Sequence, residues 1–143
     1  MTRIGVAADE AARQMCFDIR RTVFIEEQQI PEAEEWDHHD ETCTHVLAQD
    51  DLSAPTGTAR IIAKGRHAKI GRVAVLPAYR GGGLGRALMA FCLDCARERG
   101  FAAAELESQV YAISFYEGLG FIAEGPEYDD GSGILHRRMT RPL

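Results

Sequence analysis

Apolar residues recur along the chain with two different periods. Ala12, Met15, Cys16, Ile19 and Val23 follow one another at three- and four-residue steps, which is one buried stripe of a helix. Asp9 stands ahead of this stripe as an N-cap, and Pro31 ends or redirects the pattern. Leu84, Leu88, Phe91, Cys92 and Cys95 form a second stripe, in a helix predicted from about Leu84 to Arg99 and stopped by Gly100. A short third helix is predicted over Ala112 to Leu119, ahead of Gly120. Strands are predicted at Arg3–Ala7, Thr44–Gln49, Thr58–Lys64, Lys69–Leu76, Phe101–Leu106, Phe121–Ala123 and Ile134–Met139. Asp50-Asp51 with Pro55-Thr56-Gly57, then Gly65-Arg66-His67, mark turns that make the second to fourth strands an antiparallel meander. Glu32 to Thr42 is polar and reads as a loop or short helix. The order predicts an α+β fold: a single mixed, mostly antiparallel sheet with helices on both faces.

A length of 143 residues suits one domain, 1–143, with no repeat or linker inside it. No run of 18 apolar residues occurs, so no membrane span is expected, and the first residues lack a secretory apolar core. The expectation is a cytoplasmic protein. A formal charge of −6 argues against nucleic acid as a partner.

That charge is uneven. Between Arg21 and Arg60 there are ten acids and no Lys or Arg, whereas the rest of the chain carries 16 basic against 12 acidic groups. The stretch reads as a solvated acidic loop, or else as an acidic face toward a cationic substrate. Of the four cysteines, Cys92 and Cys95 have CxxC spacing but fall mid-helix, where no dipole lowers the thiol pKa. Neither a second CxxC nor a HxxxH completes a zinc set, so no metal is expected.

The informative segment runs Arg72-Val73-Ala74-Val75-Leu76-Pro77-Ala78-Tyr79-Arg80-Gly81-Gly82-Gly83-Leu84-Gly85-Arg86. A strand passes through a glycine-rich turn into a helix N-terminus, where free N–H groups and the helix dipole bind phosphate oxygens. Arg80 and Arg86 add charge. A P-loop needs Gly-Lys-Ser/Thr, and Arg86-Ala87 stands there instead. A Rossmann fingerprint needs a third glycine, and Leu88 takes its place.

Arg80-x-x-Gly83-x-Gly85 after Val73-Ala74-Val75 resembles the acetyl-CoA motif of the GNAT superfamily of N-acetyltransferases. Leu106 to Phe121, with Phe115-Tyr116 and Gly120-Phe121, resembles that family's second motif. Arg21-x-Val23-Phe24-Ile25-x-Glu27-Gln28 with Pro31, and Gly133-Ile134-x-His136 with Met139, resemble a branch of small GNAT proteins without an assigned acceptor.

The resemblance implies a central strand that splays from its neighbour and receives the pantetheine arm of acetyl-CoA, with Val73, Ala74 and Val75 supplying main-chain bonds. Gly81, Gly82, Gly83, Leu84, Gly85 and Arg86 would hold the pyrophosphate with Arg80, and Ser114 would touch the cofactor. Tyr116 matches the family's general acid, which protonates the leaving thiolate. Glu27 is the first candidate for the base that deprotonates the amine, with Glu35, Asp37 and His45 as alternatives; His136 reads as a packed strand residue. The family's usual Asn after the second-motif strand is replaced by Ser108-Gln109. The implied reaction is acetyl transfer to a primary amine of a small cationic acceptor, or of a peptide. A noncatalytic acyl-CoA-binding module on the same fold is the alternative, and a homodimer fits the family.

Overall fold

A computed structural model describes residues 2–143. It contains one seven-stranded sheet in the order β1-β2-β3-β4-β5-β7-β6. The strands are β1 (Arg3–Val6), β2 (Thr44–Gln49), β3 (Pro55–Lys64), β4 (His67–Val75), β5 (Ala103–Gln109), β6 (Ile122–Asp129) and β7 (Leu135–Pro142). Among the described residues only β4 and β5 pair in parallel. The helices are α1 (Glu10–Arg20), α2 (Glu32–Glu35), α3 (Leu84–Glu98) and α4 (Ile113–Glu117).

Each face of the sheet is covered because the central strands alternate apolar residues to both sides. Val46 and Ala48 of β2 with Ala59 and Ile61 of β3 pack under Leu88, Met89 and Cys92 of α3. Leu47, one step out of phase, packs with Ala74 of β4 against Cys16 and Ile19 of α1. Asp9 caps α1 as its position predicts, accepting from the Ala12 amide at 2.7 Å.

Three departures from the sequence pattern bear on function. The first stripe does not continue as α-helix: Arg21–Glu27 is π-helical, with Gln28 N–H reaching back to the Val23 carbonyl at 3.1 Å. The wider turn keeps Val23 and Phe24 in the core while aiming Glu27 and Gln28 across the sheet. Second, Pro55-Thr56-Gly57 opens β3 and is not a turn; the bend lies at Asp50–Ala54, closed by two amides on Asp50 Oδ1. A side chain at Gly57 would meet Leu88 Cδ1 at 2.9 Å and the Ala74 carbonyl at 3.1 Å, so the glycine lets α3 lie on β3. Third, β6 runs well past Ala123 to Asp129, its exposed polar residues hiding it from a hydrophobicity pattern.

The parallel pairing of β4 and β5 is short. It covers His67–Lys69 against Ala103–Glu105 and stops. Beyond it β4 holds a bulge: Arg60 faces Gly71 and Thr58 faces Ala74, so Arg72 and Val73 together oppose Ala59. Arg72 takes a positive φ of 50°, rare for a residue with a side chain. The bulge bends β4 away from β5 and opens the sheet.

Candidate active site

The opening is a cleft of about 220 Å³, walled by Val73 of β4, Leu106 and Ser108 of β5, Tyr116 of α4, His136 of β7 and Glu35 of α2. Leu76 N–H donates to Thr56 O of β3 at 2.9 Å. Main-chain groups alternate sides along a strand, so Ala74 turns toward β3 while Val73 and Val75 turn toward the gap. Ala74 therefore differs from its neighbours: its backbone pairs with Thr58 and its side chain is buried against α1.

Past β4 the chain makes one turn of 3₁₀ helix at Pro77–Tyr79 and reaches the glycine run. Gly81 and Gly83 adopt φ of 87° and 85°, which glycine reaches without strain. Gly83 is the N-cap of α3 and offers no side chain, so the first-turn amides of Leu84, Gly85 and Arg86 have no cap partner. Space around Gly81, Gly82 and Gly83 is open. A chain of free strand edge, open glycine turn and uncapped helix start suits an extended ligand that ends in phosphate. Across the gap, Phe115 of α4 lies 3.7 Å from where a Gly85 side chain would stand, and Ser114 is exposed beside it.

Tyr116 faces the cleft with its ring edge-on to Phe115 and Phe121. Burial pushes its phenol up to about 12, so it stays protonated at any ordinary pH. Where the family motif carries Asn, the Ser108 hydroxyl bonds the Gln109 carbonyl at 2.8 Å, and the Gln109 amide donates to Gln28 at 2.9 Å.

Glu27 stands elsewhere than the base assignment requires. It does not wall the cleft; both its oxygens grip Arg80, Oε2 to Nη1 at 2.7 Å and Oε1 to Nη2 at 2.6 Å. That bidentate pair holds its carboxyl below the usual range, which makes it a poor proton acceptor. Arg80 also donates from Nε to the Val75 carbonyl at 2.9 Å, so the arginine lies along the open edge.

The acidic stretch is a solvated surface only in part: Glu26, Glu27, Glu32, Glu34, Glu41 and Asp51 are exposed. Its middle is folded into a buried ionic network with arginines from outside it. Arg20, 1% exposed, bonds Glu35 Oε2 at 2.8 Å and Asp40 Oδ1 at 2.7 Å. Arg60 bonds Asp37 and Asp40, each at 2.8 Å, and the bulged Arg72 donates to the Glu35 carbonyl at 2.9 Å. Burial raises the Glu35 carboxyl despite Arg72 and Arg20. For Asp37 and Asp40 burial acts the same way, and the guanidiniums overcome it to give net lowering. The network fixes α2 and the segment after it at the mouth of the cleft.

His45 donates from Nε2 to the Asp40 carbonyl at 2.9 Å and packs on Phe17, away from the cleft. Asp40, Cys43 and His45 lie within 4.8 Å of one another, but both Asp40 oxygens already serve Arg20, one of them Arg60 as well. Burial pushes Cys92 up to about 12 and raises Cys95, the opposite of an activated CxxC.

Comparison with known proteins decides the family. The model of the acetyltransferase (GNAT) family matches residues 13–121. The chain belongs to the GNAT family. YyaT of Bacillus subtilis (strain 168) is 36% identical over 137 residues, 94% of this chain and 91% of YyaT. A Lactobacillus plantarum crystal structure superposes with a TM-score of 0.93 at 30% identity, covering 99% of this chain and 98% of the other. An acyl-CoA N-acyltransferase from Pseudomonas aeruginosa gives 0.86 at 26%, with 99% and 98% covered. As in other GNAT proteins, the donor is an acyl-CoA and the product an acylated acceptor. No helix among the described residues is long and apolar enough to cross a membrane.

Proposed function

We propose that this GNAT protein transfers an acetyl group from acetyl-CoA to a primary amine. One observation carries the reading: the unpaired edge of β4 runs directly into an uncapped, glycine-led helix start, with a protonated tyrosine on the opposite wall.

The parts divide the work. Main-chain groups of Val73 and Val75 would hold the pantetheine arm, and one of these amides would polarise the acetyl carbonyl, an effect worth roughly 3 kcal/mol. Amides of Leu84, Gly85 and Arg86, with the open turn of Gly81 to Gly83, would take the diphosphate. Arg80 would leave Glu27 to join them, and Ser114 would stand at the rim. When bound, the thioester supplies the activated acyl group. The cleft walls hold acceptor and donor side by side, which makes the attack effectively unimolecular. Tyr116 would give its hydroxyl proton to the departing sulfur.

The acceptor is expected to enter from the α2 side. With Glu35, Asp37 and Asp40 consumed by arginines, selection of a cation would fall to the carboxylates outside the network, chiefly Asp130. The test is thiol release from acetyl-CoA in the presence of spermidine, benzylamine and N-terminally free peptides. Amine-dependent release with a matching acetylated product is expected. Tight coenzyme binding without amine-dependent release would replace the transferase reading with a binding module.

A further inference from the structure

Glu27 stands outside the cleft walls, on the rim beside Arg80, so the cleft needs another group to take the proton of an incoming ammonium. Most carboxylates near it are engaged: Glu35 Oε2 by Arg20, Asp37 and Asp40 by Arg60, Glu107 by Lys69 at 3.1 Å. His136 is different. It is the second residue of β7, opposite Gln109 of β5 and Tyr128 of β6, and its side chain lines the cleft while only 8% exposed.

Its protonation pattern follows from its partners. Nδ1 lies 2.7 Å from the Ile134 carbonyl. A carbonyl only accepts, so Nδ1 carries the hydrogen, and the neutral ring presents a lone pair at Nε2. Asp130 Oδ2 stands 3.6 Å from that Nε2. The gap is too long for a direct hydrogen bond and leaves room for a donor between the two groups. Asp130 is itself fixed, because its Oδ1 accepts the Ser132 hydroxyl at 2.6 Å and amide at 3.0 Å. Once protonated, the ring would have an acceptor at each nitrogen: a carbonyl at one and a carboxylate at the other.

We infer that His136 is the catalytic base of this transferase and that Asp130 is the positioning residue that seats the ammonium beside it. The inference rests on the acetyl-transfer reading above. Asp130 Oδ2 accepts one N–H of the ammonium. His136 Nε2 takes a second proton, directly or through one water, and leaves a free amine. The amine nitrogen forms a bond to the thioester carbonyl carbon, and the carbon–sulfur bond breaks. The thiolate takes the Tyr116 hydroxyl proton. The proton still surplus on the new amide nitrogen restores that phenol, and His136 gives its own to solvent. The net change is ammonium plus thioester to amide, thiol and one released proton.

The charged and titratable groups facing His136 are Glu107 of β5 with its partner Lys69 of β4, Tyr128 of β6, Asp130 of the turn, and Glu35 and Arg72 across the cleft.

The experiment measures kcat/KM with acetyl-CoA and either benzylamine or spermidine, from pH 6 to pH 10, for wild type, His136→Gln and Asp130→Asn. Coenzyme A calorimetry on each variant reports whether the donor site survives. At pH 7 His136→Gln should lose about 100-fold and Asp130→Asn about 10-fold, with coenzyme affinity kept. The His136→Gln deficit should shrink as the pH nears the amine's own pKa, about 10, because free amine then needs no base. Methoxyamine, already neutral at pH 7, should be acetylated equally by wild type and variant. A deficit that stays the same at every pH and for both kinds of acceptor overturns the inference, because His136 would then be structural. Full activity of His136→Gln also overturns it. A wild-type protein that acetylates no amine overturns the transferase reading along with it, and is recognised because the wild type itself is then inert.

Discussion

Glu27 and Arg80, 53 positions apart, meet in a bidentate ion pair at 2.6 and 2.7 Å on the rim of the β4 edge. The π-helical turn at Arg21–Glu27 brings the carboxylate there, and the 3₁₀ turn that follows β4 brings the arginine. Both side chains are 42% exposed, so the pair contributes little to stability, within about 1 kcal/mol. Its consequence is for the donor: a diphosphate must draw Arg80 away from Glu27.

Glu27→Gln should therefore bind coenzyme A more tightly, by about threefold to tenfold, because a competing charge worth about 1 kcal/mol is gone. Turnover should stay within a few-fold of wild type. A base at this position would instead cost 10²- to 10⁴-fold. Calorimetry and thiol release on the one variant separate the two roles.

Tyr116→Phe should lower kcat by about 10²- to 10³-fold while leaving the KM for acetyl-CoA nearly unchanged. Because burial pushes the phenol up to about 12, its ionisation should produce no alkaline fall in wild-type kcat below about pH 10. A fall near pH 8 that disappears in Tyr116→Phe would contradict this.

The buried network predicts a strong asymmetry between single and paired changes. Glu35→Gln or Arg20→Met alone takes one charge out of the buried network and leaves the other residue with a single partner, Asp40 for Arg20 or Arg72 for Glu35; either should cost about 3–5 kcal/mol, read by urea unfolding. Arg20→Met with Glu35→Leu should cost less than the sum of the two single changes, because the charges lost face each other, while Asp40 and Arg72 each still lose a partner.

The same network sets an acid limb. Asp37 and Asp40 have folded pKa values below their ordinary 3.8, so their contribution is present above that value and is lost as the pH falls through the folded values. Glu35 is raised and works the other way: its contribution is full below its ordinary 4.5 and declines as the pH rises through its folded pKa. Asp37→Asn should flatten the loss of stability below about pH 4. Melting curves from pH 2 to pH 7 on both proteins read this.

Gly57→Ala should lower the melting temperature, with a cost of about 1–3 kcal/mol, since the new methyl sits 2.9 Å from fully buried Leu88 and 3.1 Å from the Ala74 carbonyl. For a chain of this size each kcal/mol corresponds to roughly 2–4 °C.

How far the sequence revealed all this depends on the kind of interaction. The helices and central strands were legible because burial on a periodic element writes itself as apolar spacing: Cys16 and Ile19 on one side, Leu88 and Cys92 on the other. The glycine turn was legible because Gly81 and Gly83 need positive φ and no other residue supplies it cheaply. The ionic network was not. Arg20, Arg60 and Arg72 meet Glu35, Asp37 and Asp40 through the fold, and charge pairing between distant residues leaves no period along the chain. Nor could spacing show which nitrogen of His136 holds a hydrogen, since that depends on where one carbonyl lies. The bulge at Arg72 and Val73 was not legible either, since nothing local demands φ of 50° at an arginine.

The central claim is that the open edge of β4 and the start of α3 hold the donor. Amide hydrogen exchange, followed residue by residue with and without saturating coenzyme A, tests it most directly. The account predicts slowed exchange at Val73, Val75, Leu84, Gly85 and Arg86, with little change at Ala74, which already faces β3. Unchanged exchange at the first five under saturation would contradict it.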